Sequence, residues 1–220
     1  MTHGPTSDTT PWPQRQNLLI ARQTAHYRRV RGLTADQLAE KVSDLGFPLS
    51  RSMVANIESG RRSQTGMSVA VLMALAAALD ISPLQLLYPI GEKDDQVEVL
   101  PGRHVDARTA ARWFEGSAPL GEETDEWKAG VAPLARLHAH DQHVIQWEQA
   151  HTRARVEHAA MRIKTDEYER EMSMARWHAQ EDAAQRALRA LAVVRQQMAD
   201  AGQPLPEVPE DLRSRLDGAQ

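Results

Sequence analysis

The 220-residue chain has no cysteine, which excludes disulfides, thiolate nucleophiles and Cys-ligated zinc or iron–sulfur centres and fits a reducing compartment. Aromatic residues are scarce, with Trp 5, Tyr 3 and Phe 2. With 41% hydrophobic residues and a mean hydropathy of -0.53, a compact domain plus an extended or helical remainder is expected rather than one rich core. The longest apolar run, Val69–Leu79, is too short to cross a bilayer. The first residues, MTHGPTSDTTPWPQ, lack the basic and apolar regions of an export signal. The expectation is a cytoplasmic protein with no membrane partner. Also missing are G-x-S-x-G, a P-loop, a dinucleotide fingerprint and H-E-x-x-H. No enzyme activity, catalytic residue, cofactor or metal is expected.

The formal net charge of -4 argues against a nucleic-acid partner until it is divided along the chain. Residues 14–90 carry nine Arg/Lys against five Asp/Glu, a net +4, whereas residues 91–220 carry -7. The basic part is therefore the N-terminal third. Of the 26 basic residues 22 are arginine, the cation suited to bidentate phosphate and guanine contacts, although a GC-rich genome gives the same bias.

Residues 1–13, rich in Thr, Pro, Ser and Gly, read as a disordered arm. Residues 14–90 read as five short helices, over 14–31, 34–42, 50–58, 68–79 and 82–87, with Thr or Ser at their starts and Gly32 and Gly60 after two of their ends. Thr34 with Gln37 makes a capping-box pattern, and Ser82-Pro83 sets an N-cap before a proline at the first helical position. Residues 91–130 read as a linker. Within it Gln96–Leu100 alternates like one strand, which needs a partner strand, for example its copy in a second subunit. A short helix over 106–114 and an acidic stretch over 116–130 follow.

Residues 131–201 contain neither Gly nor Pro after Pro133, so they read as one very long helix, of roughly 100 Å if unbroken, or as a helical hairpin. With Val144 as an a position, Trp147, His151, Ala154, His158, Met161, Thr165, Tyr168, Met172 and Ala175 continue a moderate heptad seam, while Ala184, Ala187, Leu191, Val194 and Met198 form a second seam out of phase. A continuous or gently broken coiled coil is favoured. Thr165-Asp166-Glu167 is the place for a turn if the region folds back. Residues 202–220 read as a flexible, Pro-rich tail.

The most informative stretch is LTADQLAEKVSDLGFPLSRSMVANIESGRR, residues 33–62. Leu38, Ala39 and Val42 form an apolar stripe on the second helix, and Val54 and Ile57 do so on the third. Together with Ile57-Glu58-Ser59-Gly60 and the helix pair that follows, this order of residues resembles the helix-turn-helix of the Cro/lambda-repressor-like, or XRE, family over residues 16–88. The resemblance implies an all-α chain: a compact five-helix DNA-binding domain over 14–90, then the strand and linker region, then the long C-terminal helix or hairpin.

It also implies that the helix over 50–58 enters the major groove of double-stranded DNA. Arg51, Ser52 and Asn56 would then meet base edges, Arg51 pairing with guanine O6 and N7 and Asn56 with adenine N6 and N7. Ser50, Gln37, Arg61 and Arg62 would contact phosphates. The plain reading of the same residues is a solvated helix face. Ala35 stands where many relatives carry a phosphate-clamping Gln. The long connection over 43–49 resembles an actinobacterial subgroup in which the second helix extends by a turn and Pro48 leads into the third.

Other signals are weaker. His138, His140, Asp141 and His143 lie close together, but with no closing ligand a solvated helix is the expected reading. His151 and His158 fall on consecutive a positions, where protonation would oppose two cations. The expected function is a sequence-specific transcriptional regulator, a repressor acting in the cytoplasm on the nucleoid. It would bind a roughly palindromic operator as a homodimer joined through the C-terminal helix. The alternative is a protein-interaction module, antitoxin-like or scaffold-like, whose C-terminal helix binds a partner protein. A third reading is a ligand sensor with a pocket within 91–130.

Overall fold

The computed structural model describes residues 10–61, 67–93 and 96–217. They are mostly helical and fall into two compact units that divide after Gly121.

The first unit opens with α1, Trp12–Val30, followed by α2, Ala35–Asp44, α3, Arg51–Glu58, α4, Val69–Leu79, and α5, Pro83–Leu87. Hydroxyl side chains mark the helix starts: Thr34, Ser50, Ser68 and Ser82 each accept a hydrogen bond from a backbone N–H in the first turn. Such caps satisfy donors that a helix end otherwise leaves open. Thr34 with Gln37 and Ser82 with Gln85 complete reciprocal capping boxes. One core gathers Ile20 from α1, Leu38 and Val42 from α2, Val54 and Ile57 from α3, Leu75 and Leu79 from α4 and Leu86 from α5.

Gly60, two residues after α3, has φ +71°, and a Cβ there would lie 2.5 Å from Leu18 Cδ2. The left-handed turn is what favours glycine here, since the exposed Leu18 side chain is free to swing away from a Cβ.

Several expectations are corrected here. α1 begins at Trp12 rather than after residue 13, because the Trp12 indole N–H and the Gln16 amide both donate to the Glu98 carbonyl, at 2.9 and 2.6 Å. Residues 1–9 of the expected arm lie outside the described residues. The strand β1, Gln96–Leu100, does not wait for a second subunit. It pairs antiparallel with β2, Arg103–Asp106, across the turn at Pro101-Gly102. α6, Ala107–Phe114, follows, capped by Asp106. Tyr88, Val97, Val99, Ala107, Ala110 and Ala111 bury one another in a second small core, so this stretch is packed structure rather than a linker.

The second unit holds α7, Asp125–Ile163, and α8, Glu167–Asp200. The favoured continuous coiled coil is replaced by an antiparallel hairpin, with Asp166 capping α8 at the foreseen turn. Pairings across it descend in order: Lys164 with Ser173, His140 with Arg195, and Pro133 with Gln203. α7 also begins earlier than expected, inside the acidic stretch, where Thr124 caps it and Asp125 and Glu126 sit favourably in its first turn.

The expected flexible tail is corrected too. Residues 203–209 turn back and lead into α9, Glu210–Asp217. Val208, Leu212 and Leu216 pack with Trp147, Ala150, Ala184, Ala187, Leu188 and Leu191 in one core. Of the two expected seams the second is buried throughout, from Ala184 to Met198. The first is buried only at Trp147 and Ala154, while Tyr168 and Met172 are exposed. The reason is that α7 and α8 face each other instead of a second parallel strand.

Candidate functional site

The connection between α2 and α3 is built by local chemistry. α2 runs to Asp44, two residues beyond the expected end at Val42, and Gly46 (φ +83°) reverses the chain. The Phe47 N–H then reaches back to the Val42 carbonyl, and that of Gly46 to Ser43, the paired bonds of a Schellman ending. Leu49 is buried in the core, and the Ser43 hydroxyl bonds both the Ala39 carbonyl and the Leu49 backbone. α3 therefore starts from an anchored point.

Within α3 the burial pattern separates two faces. Val54 and Ile57 are wholly buried and Met53 packs against the core, whereas Arg51, Ser52 and Ala55 are exposed and Asn56 is half-buried. The open face is widest at the N-terminal half, where side chains lean toward the helix start. Ser50 Oγ accepts from the Met53 N–H at 3.3 Å and lies 2.9 Å from Ser52 Oγ. The C-terminal end is locked from behind. Arg28 of α1 donates to both carboxylate oxygens of Glu58, at 2.6 and 2.8 Å, and to the Leu33 carbonyl at 2.7 Å. The hydrogen bonds to Glu58 hold the Arg28 pKa above its ordinary value, and the half-buried pair ties α3 to α1.

The expected contact residues fall out as follows. Arg51, Ser52 and Asn56 share the open face, with Ser50 at its edge and the exposed Arg61 just beyond the Gly60 turn. Gln37 is also exposed, but its carboxamide oxygen accepts from the Thr34 N–H at 2.8 Å and is occupied by the capping box. Ala35 packs against the core. Arg62 lies outside the described residues.

Sequence reasoning missed Asp36. Its carboxylate Oδ2 lies 3.5 Å from Arg51 Nε, with both side chains largely in solvent. No local signal could have paired residues so far apart in the chain. Among the described residues of α2, α3 and the turn after it, the exposed cations Lys41, Arg51 and Arg61 are matched in number by the exposed carboxylates Asp36, Glu40 and Asp44.

The other candidates resolve differently. His140 is not on a solvated face: it is 1% exposed. An arginine can only donate, so His140 Nε2 accepts from Arg195 Nη1 at 3.0 Å and Nδ1–H donates to Asp141 at 3.0 Å. Arg195 Nη1 also donates to the Pro206 carbonyl at 3.0 Å, so this histidine fastens the returning segment. Among the described residues no group of three or more His, Asp or Glu is placed to hold a metal. His151 is half-buried and stacks on Trp147 at 4.8 Å, whereas His158 is exposed. In the region proposed for a ligand sensor, Trp113 packs against the small core beside Val97 and Val99. No described helix is long and apolar enough to cross a membrane.

No family model, no curated protein and no solved structure matches this chain.

Proposed function

We propose that this chain is a sequence-specific DNA-binding transcriptional regulator, a repressor of the Cro/lambda-repressor-like type, acting on the nucleoid in the cytoplasm. The observation that carries the reading is the division of α3. One face is buried on a capped bundle, and the other presents Arg51, Ser52 and Ala55 to solvent with Asn56 half-buried beside them. A helix so held fits the major groove, where Arg reads guanine, Asn reads adenine and an alanine methyl can meet a thymine methyl. Ser50, Gln37 through its amide nitrogen, Arg61 and Arg62 are the proposed phosphate contacts, which orient the domain without reading sequence.

As a homodimer the protein would set two such helices in successive major grooves of an inverted repeat, about 34 Å apart. The test is recovery of sheared genomic DNA by the full-length protein at about 0.15 M salt, followed by sequencing. An inverted-repeat motif is expected, and Arg51→Ala should erase the guanine preference at one position of each half-site. Diffuse recovery would overturn the reading.

A second reading is favoured by the tip of the α7–α8 hairpin, where Val156, Ile163 and Tyr168 are 62%, 81% and 70% exposed. Such residues suit a protein contact, either with a second copy or with a partner protein. If the tip joins two copies, Val156→Glu with Ile163→Glu should leave half-site recognition intact and abolish the inverted repeat in the selected sequences.

A further inference from the structure

We propose that Asp36 is a positioning residue whose charge biases Arg51 from the Nε side and so favours the Nη1–Nη2 edge of its guanidinium for reading a guanine in the major groove. The inference rests on the DNA-binding reading above and adds the residue that sets its specificity. Three observations carry it.

The first is which nitrogen is engaged. The nearest approach of the Asp36 carboxylate to Arg51 is Oδ2 to Nε at 3.5 Å, a charge contact rather than a hydrogen bond, and an anion that favours the Nε side leaves the terminal nitrogens to another acceptor pair. Guanine O6 and N7 are such a pair.

The second is that Asp36 has no other task at the start of α2. The capping box there is complete without it: Thr34 Oγ1 accepts from the Gln37 N–H at 3.2 Å, and Gln37 Oε1 accepts from the Thr34 N–H at 2.8 Å. The carboxylate has a mild attraction to the helix start, but the hydrogen-bonding positions are already filled.

The third is exposure. The two side chains are 72% and 67% exposed, and an ion pair in that setting adds little to stability. What it can do is restrict a flexible arginine. Arg51 is the first residue of α3, and its side chain stands largely in solvent. A carboxylate beside it also repels phosphate. The pair is therefore suited to a base edge, which carries no net charge, and unsuited to the DNA backbone.

The experiment is selection of binding sites from random duplexes by the full-length wild type, Asp36→Ala, Asp36→Asn and Arg51→Ala, with melting temperatures measured alongside. The wild type is expected to enrich guanine at one position of each half-site, and Arg51→Ala to lose it. Both Asp36 variants should lower the preference for that guanine over other bases about three- to tenfold. They should bind unrelated duplex DNA more tightly, because a negative charge has gone. Replacing that guanine with 7-deazaguanine, which lacks the N7 acceptor, should weaken the wild type strongly and the Asp36 variants much less. Asp36→Asn keeps the size of the side chain, so its melting temperature guards against a folding artefact. If the wild type selects no motif, the DNA-binding reading falls and this inference with it. If Arg51→Ala loses the guanine while folded Asp36→Asn keeps it at full strength, only the role of Asp36 is overturned.

Discussion

In the first unit, α2 to α5 are each opened by a hydroxyl that binds its own first turn, and none exceeds 11 residues. In the second, α7 and α8 run for 39 and 34 residues against each other with a turn of three residues, 164–166, between them. Short helices are unstable alone, so the first unit depends on caps, glycine endings and a core of Leu, Ile and Val. Long helices gain most of their hydrogen bonds without such punctuation. What they lack is apolar bulk: of the nine buried residues in the hairpin core, Ala150, Ala184 and Ala187 are alanine, and Val208, Leu212 and Leu216 come from the returning segment and α9. The first unit is thus held by many elements converging on one centre, and the second by one late segment that completes a thin seam.

That contrast is broken most severely by Leu75→Ala. Leu75 is fully buried on α4, and its loss should cost about 2–5 kcal/mol. Hydrogen exchange in the full chain should accelerate across α1 to α5 and leave α7 and α8 unchanged. Equal acceleration in both units would mean that they fold as one.

Leu212→Ala probes the other side of the comparison and should cost about 2–3 kcal/mol, because α9 has few other anchors. Exchange should rise in α9 and around Trp147, which is buried beneath it with Arg215 stacked 5.9 Å over the indole, while the distal turn near Ser173 stays as it was. Unchanged protection of α9 would show that Leu212 does not anchor it.

The same contrast explains what was legible in the sequence. Thr34, Ser50, Ser68 and Ser82 act within one turn of themselves, so the starts of α2 to α5 could be read directly, as could Gly60. Where boundaries depend on distant partners, reading failed. Trp12 extends α1 because its indole meets Glu98, and β2, with the weakly alternating RHVD, is a strand because β1 lies beside it. In the second unit Thr165-Asp166-Glu167 reads as a helix start capped by Thr165, whereas Asp166 is the cap, and nothing local distinguished a fold-back from a kinked continuous helix; the choice is made by Leu188 and Leu191 meeting Trp147. α9 is highly charged, and its two leucines, four residues apart, matter only because an alanine-lined seam receives them. At the candidate site, Arg51, Ser52 and Asn56 followed from helical periodicity and the family resemblance, whereas Asp36 is visible only once α2 and α3 are folded together.

The smallest effect expected is an acid-sensitive one confined to the first unit, and it sharpens the comparison by locating where that unit depends on charge. The Glu98 carboxyl is held below its ordinary pKa, first by the Gly102 N–H at 2.8 Å and then by the Arg15 guanidinium. Asp106 is held low by the Thr109 hydroxyl and backbone N–H at the start of α6. Both groups prefer the charged form when folded. Their stabilisation is therefore complete above the unfolded carboxylate range, about pH 4, and is lost as the pH falls through the lower folded values. Each sits on the β1–β2 hairpin or its junction with α6, so acid should loosen the hairpin and the start of α1 before the core around Leu75 responds. The amide of Gly102 reports this directly: its NMR shift should titrate with a midpoint below that of an ordinary glutamate, and Glu98→Gln should remove the titration. A midpoint at or above the ordinary value would show that the Gly102 and Arg15 contacts do not hold the carboxylate in solution.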